Sequence, residues 1–141
     1  MTTLSKLGLA AALLCAAASL IGCDETTESH AADLASNSCS QNWHVCKDNT
    51  DLMNNYKELI HWRVGCMMAA KEAARFGEPT FPSHYFSSFH GKGDYVGTGF
   101  AVLIEPDARY QNGFGAMAHS HVECTYDIAG DKVTNIEVDG N

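Results

Sequence analysis

His119 and His121 stand two residues apart in the stretch Gln111 to Asp127, with Met117 and Glu123 sharing their parity. No other part of the chain concentrates metal-ligating side chains in this way, and on an extended strand all four would project from one face. Imidazole with thioether suits copper and imidazole with carboxylate suits zinc, so a periplasmic metal-binding protein using His119 and His121 is one expectation, with His84 or His90 as a third ligand from a neighbouring strand. The competing explanation is plain: a solvated sheet face alternates polar residues without any ligand, and His-x-His lacks a Cys or Asp at fixed ligand spacing. Catalytic signatures are missing from the sequence. It has no Gly-x-Ser-x-Gly, no His-Glu-x-x-His and no Walker loop, and Gly91-x-Gly93 with Gly97-x-Gly99 lacks dinucleotide spacing. Asp94, Glu105 and Asp107 fall at predicted turns, where carboxylates cap backbone groups. A carboxylate pair for hydrolysis depends on distances, so a small hydrolase with an unrecognised site stays as a second alternative. The third candidate is the aromatic group Phe81, Tyr85, Phe86 and Phe89, with Trp43 near the first cysteine pair. Aromatics dominate interface energetics, so these four predict a protein-binding patch, unless they simply cover the end of a sheet.

The elements that must position these residues are legible from periodicity. From Phe114 onward Phe114, Ala116, Ala118, Ser120, Val122, Cys124, Tyr126 and Ile128 form a dry face, and Met117, His119, His121, Glu123, Thr125 and Asp127 a wet one. Gly113 and Gly115 predict a bulge or kink in this strand. Asp51 to Phe76 reads as one long helix, with Leu52, Tyr56, Leu59, Ile60, Met67, Ala70 and Ala74 recurring at three and four residues and Val64 and Met68 beside them. Thr50 or Asp51 would cap it, Gly77 and Pro79 would close it, and Gly65 would let its backbone approach the sheet. The methionines and Trp62 read as core. Phe81 to His90, the glycine turn at Gly91 to Asp94 and the run Tyr95 to Glu105 predict a hairpin. Glu105-Pro106-Asp107 predicts the next turn, and Lys132 to Asp139 the last strand. The expected fold is α+β: one long helix across a four-stranded antiparallel sheet, two-layered and cystatin-like in plan.

The N-terminus predicts an address. Lys6 precedes an apolar run from Leu7 to Ile21, too short for a comfortable bilayer span and right for a signal-peptide core. It ends in Leu20-Ile21-Gly22-Cys23, which resembles the lipobox of bacterial lipoproteins. That resemblance implies a signal peptide at 1–22, palmitate-type acylation of Cys23 and a lipidated flexible tether at 23–38, followed by a single domain at 39–141. Asp24 resembles an inner-membrane retention signal of enteric bacteria, and the choice between inner and outer membrane stays open. Two or three acyl chains, at about 0.8 kcal/mol per methylene, would hold such a chain on the membrane. Removing 22 of 141 residues leaves 119, with eight cationic against 17 acidic side chains and a net charge of −9. That excess argues against nucleic acid as partner. An exported chain meets an oxidising compartment. Apart from Cys15 and Cys23, four cysteines remain, which allow three pairings. We favour Cys39 with Cys46, closing a small loop, and Cys66 with Cys124, stapling helix to central strand.

Gly77-x-Pro79, Gly93-Asp94-Tyr95, Leu103-Ile104-Glu105, Gln111-Asn112-Gly113-Phe114-Gly115-Ala116 and Cys124-x-Tyr126-Asp127 together resemble a group of small, mostly uncharacterised Gram-negative secreted or lipid-anchored envelope domains, over about Cys39 to Val138. The resemblance implies a fold and a compartment and carries no activity. Phage-encoded exclusion lipoproteins are similar in general plan only. The expected function is therefore a lipid-anchored, non-catalytic binding or accessory module that faces the periplasm and contacts another envelope component, of immunity or exclusion type.

Overall fold

Alternation of burial, strict along the central strand from Ser120 to Asp127, carries the sheet. In the computed structural model, which describes residues 37–139, strands β1 (Ser88–Phe89), β2 (Phe100–Gln111), β3 (Met117–Asp127) and β4 (Lys132–Asp139) form one antiparallel sheet in the order β1-β2-β3-β4. The expected leader, Cys23 and most of the tether lie outside the described residues. Ser120, Val122, Cys124 and Tyr126 of β3 are buried, with Ala101, Leu103, Ala108 and Tyr110 of β2 beside them. Helix α1 (Asn49–Asn55) contributes Leu52 and Met53 to the core. Helix α2 (Leu59–Glu72) lies against the sheet through Trp62, Cys66 and Ala70, which recur every four residues. This is an α+β arrangement with a four-stranded antiparallel sheet.

Three contacts fix α2. Trp62 stacks on Tyr126 with ring centroids 5.5 Å apart. The Cys66–Cys124 disulfide joins helix to central strand with Cα atoms 5.8 Å apart. The Tyr110 hydroxyl donates to the Ala70 carbonyl at 2.7 Å. Gly65 has the role expected of it: a Cβ there would lie 3.2 Å from Cε2 of Tyr126, closer than most packed contacts. The second disulfide joins Cys39 to Cys46. Both favoured pairings are the ones observed.

The single helix expected over Asp51 to Phe76 is two helices. At Tyr56 the backbone is extended (φ −71°, ψ 127°), and the Lys57 amide donates to the Ser40 carbonyl rather than up a helix. The cysteine loop thus draws the chain out of helical geometry, while apolar periodicity persists because both helices face one core. The cap of α1 is Asp48, whose carboxylate accepts from Asp51 N–H at 2.8 Å, not Thr50 or Asp51. Asp51 instead accepts from the Lys47 amide and the Asn55 side chain, which hold its carboxyl below the usual range.

The expected turn and bulge have exchanged places. Glu105-Pro106-Asp107 does not end a strand: β2 continues through it, with a register shift between Glu105 and Ala108. Proline removes one ladder donor, and the buried Glu105 carboxylate turns inward to accept from Phe86 N–H and Asp107 N–H, both at 2.9 Å. The true turn is the Asn-Gly-Phe-Gly segment. Asn112 Oδ1 accepts from Phe114 and Ala116 N–H, and Gly115 adopts φ +84°, a left-handed conformation that glycine tolerates. The expected strand over Tyr95 to Glu105 begins only at Phe100. Before it Asp94 caps a helical turn α3 (Tyr95–Thr98), which ends on Gly99 at φ +75°. Of Phe81 to His90 only Ser88–Phe89 is strand, paired with Ile104 and Leu103.

Candidate functional site

The sheet turns its other face away from α2, and there the histidines divide. Although His119 and His121 share a face as expected, the bulge separates their partners. His119 Nε2 lies 3.2 Å from Asp107 Oδ1, on the bulge itself. His121 Nε2 lies 3.4 Å from Glu123 Oε1, and His90 Nε2, just past β1, lies 3.2 Å from that same oxygen. The group that converges is therefore His90, His121 and Glu123. Met117 stands at the start of β3, four residues from His121 and about 13 Å away along an extended strand. His84 is elsewhere, beside α2.

The backbone around this trio is well fixed. His90 N–H donates to the Val102 carbonyl at 3.1 Å, and the His90 carbonyl accepts from the Tyr95 hydroxyl. Tyr95 also donates to Val102 at 3.3 Å. Burial pushes its phenol pKa up, so Tyr95 remains a donor across the neutral range. Opposite His121 the β2 strand places two residues, Pro106 and Asp107, because the register passes from Glu105–Val122 to Ala108–Ser120. On the β4 side the cross-strand neighbours of His121 and Glu123 are Asp139 and Glu137.

The aromatic candidates do not form a surface patch as a unit. Phe86 is fully buried, so it is core. It sits at φ +48° with its amide bonded to Glu105. Phe81, Tyr85, Phe89 and Trp43 are half-buried against the core, with Phe81 packed on Phe86 and Tyr110 at ring distances of 6.2 and 6.3 Å. Phe81 and Tyr85 still present one edge to a groove between α2 and the loop of residues 79–85, along with Ile60, Arg63, Met67 and Lys71.

The surface feature that sequence reasoning missed is the outer face of α2. Ile60 is 72% exposed, Val64 38% and Met68 51%, although their spacing had placed them with the core. At i, i+4 and i+8 they form one apolar ridge. Arg63 and Lys71 flank it; Lys71 pairs with Glu78 at 3.2 Å, and the buried Arg63 Nε beside the groove has no hydrogen-bond partner among the described residues. The signal was available in the sequence. A helix that is apolar nearly all round, packed on one sheet, must leave part of that surface uncovered. The Asn-Gly-Phe-Gly turn likewise presents Phe114 fully to solvent.

Among the described residues, one group of three metal-type ligands lies within 4.8 Å of one another: Cys39, Cys46 and Asp51. Both sulfurs are in a disulfide, so the group is structural. No described helix is long and apolar enough to cross a membrane. Comparison with protein-family models, with curated proteins and with solved structures finds no match to this chain.

Proposed function

We propose that this chain is a lipid-anchored protein of a bacterial envelope, held by acylated Cys23 with its domain facing the periplasm. The domain, cystatin-like in plan, is a non-catalytic binding or accessory module that contacts another envelope protein, of immunity or exclusion type. The observation that supports a binding role is the ridge Ile60, Val64 and Met68 on the outer face of α2. Scattered exposed apolar residues are ordinary. Three in register on one helix, beside a groove edged by Phe81 and Tyr85, match the way a helix or loop of a partner packs against a helical face. Arg63 at its margin favours a partner surface that carries a carboxylate beside an apolar strip.

Two experiments test the reading separately. For the anchor, cells fed radiolabelled palmitate should label the unmodified chain and not the Cys23→Ser variant, and equal labelling of the variant would contradict acylation at this position. For docking, Val64→Glu and Met68→Glu lie on exposed helix positions and should leave the urea midpoint nearly unchanged, while abolishing in-cell cross-links formed from that face. Undiminished cross-linking of the folded variants would contradict it.

A further inference from the structure

We propose that His90, His121 and Glu123 form a binding site for a divalent transition-metal ion of the zinc class on the open face of the sheet. This does not rest on the docking surface, which lies on the opposite side of the domain.

Two imidazole nitrogens from different parts of the chain point at one carboxylate oxygen, at 3.2 and 3.4 Å. A cation bound there would take the place of the hydrogen on each Nε2, the ring proton then sitting on Nδ1, so that two neutral imidazoles and a carboxylate face one centre. The charge balance favours the exchange. Among the described residues no Lys or Arg lies within ion-pair distance of Glu123, and on β4 Glu137 stands opposite Glu123 and Asp139 opposite His121. Like charges directly opposite one another are unfavourable on a sheet, and a bound cation relieves them.

The ligands are also delivered by rigid elements. Both polar backbone groups of His90 are tied down, one to Val102 and the other by Tyr95, and the bulge opens the sheet beside His121. The three donor atoms do not all lie within 4.8 Å of one another, so binding requires the two rings to turn inward. The side chains of His90 and His121 are 46% and 38% exposed, which leaves room for that rotation. Zinc accepts this donor set at about 2.0 to 2.2 Å, with water completing a tetrahedron. Magnesium and calcium prefer all-oxygen shells. The thioether of Met117, about 13 Å along the strand, is too far to supply the soft donor that would favour cuprous copper. His119 is directed to Asp107 and is not a ligand.

The test is calorimetric titration of the detergent-solubilised full chain, without reductant, with zinc chloride alone and with magnesium chloride alone. The expected result is one equivalent of zinc bound in the low micromolar range or tighter and no saturable magnesium binding. His90→Gln, His121→Gln and Glu123→Gln should each weaken zinc about tenfold or more, and His119→Gln should match the unmodified chain. All four side chains are partly exposed, and far-UV circular dichroism verifies that each variant is folded. Absence of saturable zinc binding overturns the proposal, as does full affinity in His90→Gln or an equal loss in His119→Gln.

Discussion

Replacing Cys66 and Cys124 together by alanine should remove a large fraction of the stability of this domain. The bond spans 58 residues between two fully buried sulfurs, and the chain-entropy model values closure of such a loop at about 4 kcal/mol. The Cys39–Cys46 bond spans seven residues, for which the same model gives about 2 kcal/mol. Domains of this size are stable by roughly 5 to 15 kcal/mol, so the larger loss shifts the melting temperature by roughly 15 to 30 °C. Urea unfolding followed by circular dichroism should rank the oxidised chain first, Cys39→Ala with Cys46→Ala second, and Cys66→Ala with Cys124→Ala last. Reduction of the Cys39→Ala, Cys46→Ala variant breaks the remaining bond while keeping its sulfurs in place, which separates cross-linking from packing. If that reduction costs less than about 1 kcal/mol, the staple does not hold α2 to β3 in the way described, and the loop-closure argument fails.

Glu105→Gln should cost about 2 kcal/mol in urea without a change of slope, because one of the two amides now bonded to its buried carboxylate would face an amide nitrogen. Within the hairpin turn, Asn112→Ala should cost about 1 kcal/mol through the two N–H groups that lose their acceptor, while Phe114→Ser should stay within about 0.5 kcal/mol. At alkaline pH, burial raises the phenol pKa of Tyr95, Tyr110 and Tyr126, with Tyr110 pushed up to about 12. The folded state therefore favours neutral phenols. Their contribution is fully present below the unfolded value of about 10 and is lost as pH rises through the folded values. A joint titration of phenolate absorbance and circular dichroism should show unfolding accompany ionisation, with the component near pH 12 missing in Tyr110→Phe.

The parts of the fold that were legible in sequence are those set by local repetition or by chemistry with few options. Even positions of β3 from Ser120 to Tyr126, and Ile128 just beyond it, are buried as alternation requires, and the favoured cysteine pairs are bonded. Departures arise where a distant group overrides a local signal. Tyr56 to Glu58 leaves the helix because the Ser40 carbonyl takes the Lys57 amide. Pro106 sits in a bulge rather than a turn because Glu105 turns inward to satisfy Phe86 and Asp107. The candidate sites follow the same rule. The shared face of His119 and His121 was readable from spacing, but their separation by the bulge and the arrival of His90 depend on strand register. Ile60, Val64 and Met68 repeat like core residues, and only the presence of a single sheet to pack against leaves them exposed.

The outer face of α2 is the proposed docking surface. A photo-reactive amino acid placed at Val64, and in a separate chain at Lys92, tests it by irradiation of intact cells that express the full-length protein. The reading predicts a discrete protein adduct from Val64 that disappears when Ile60→Glu is added, and none from Lys92. Equal adducts from both positions, or none from Val64, would contradict it.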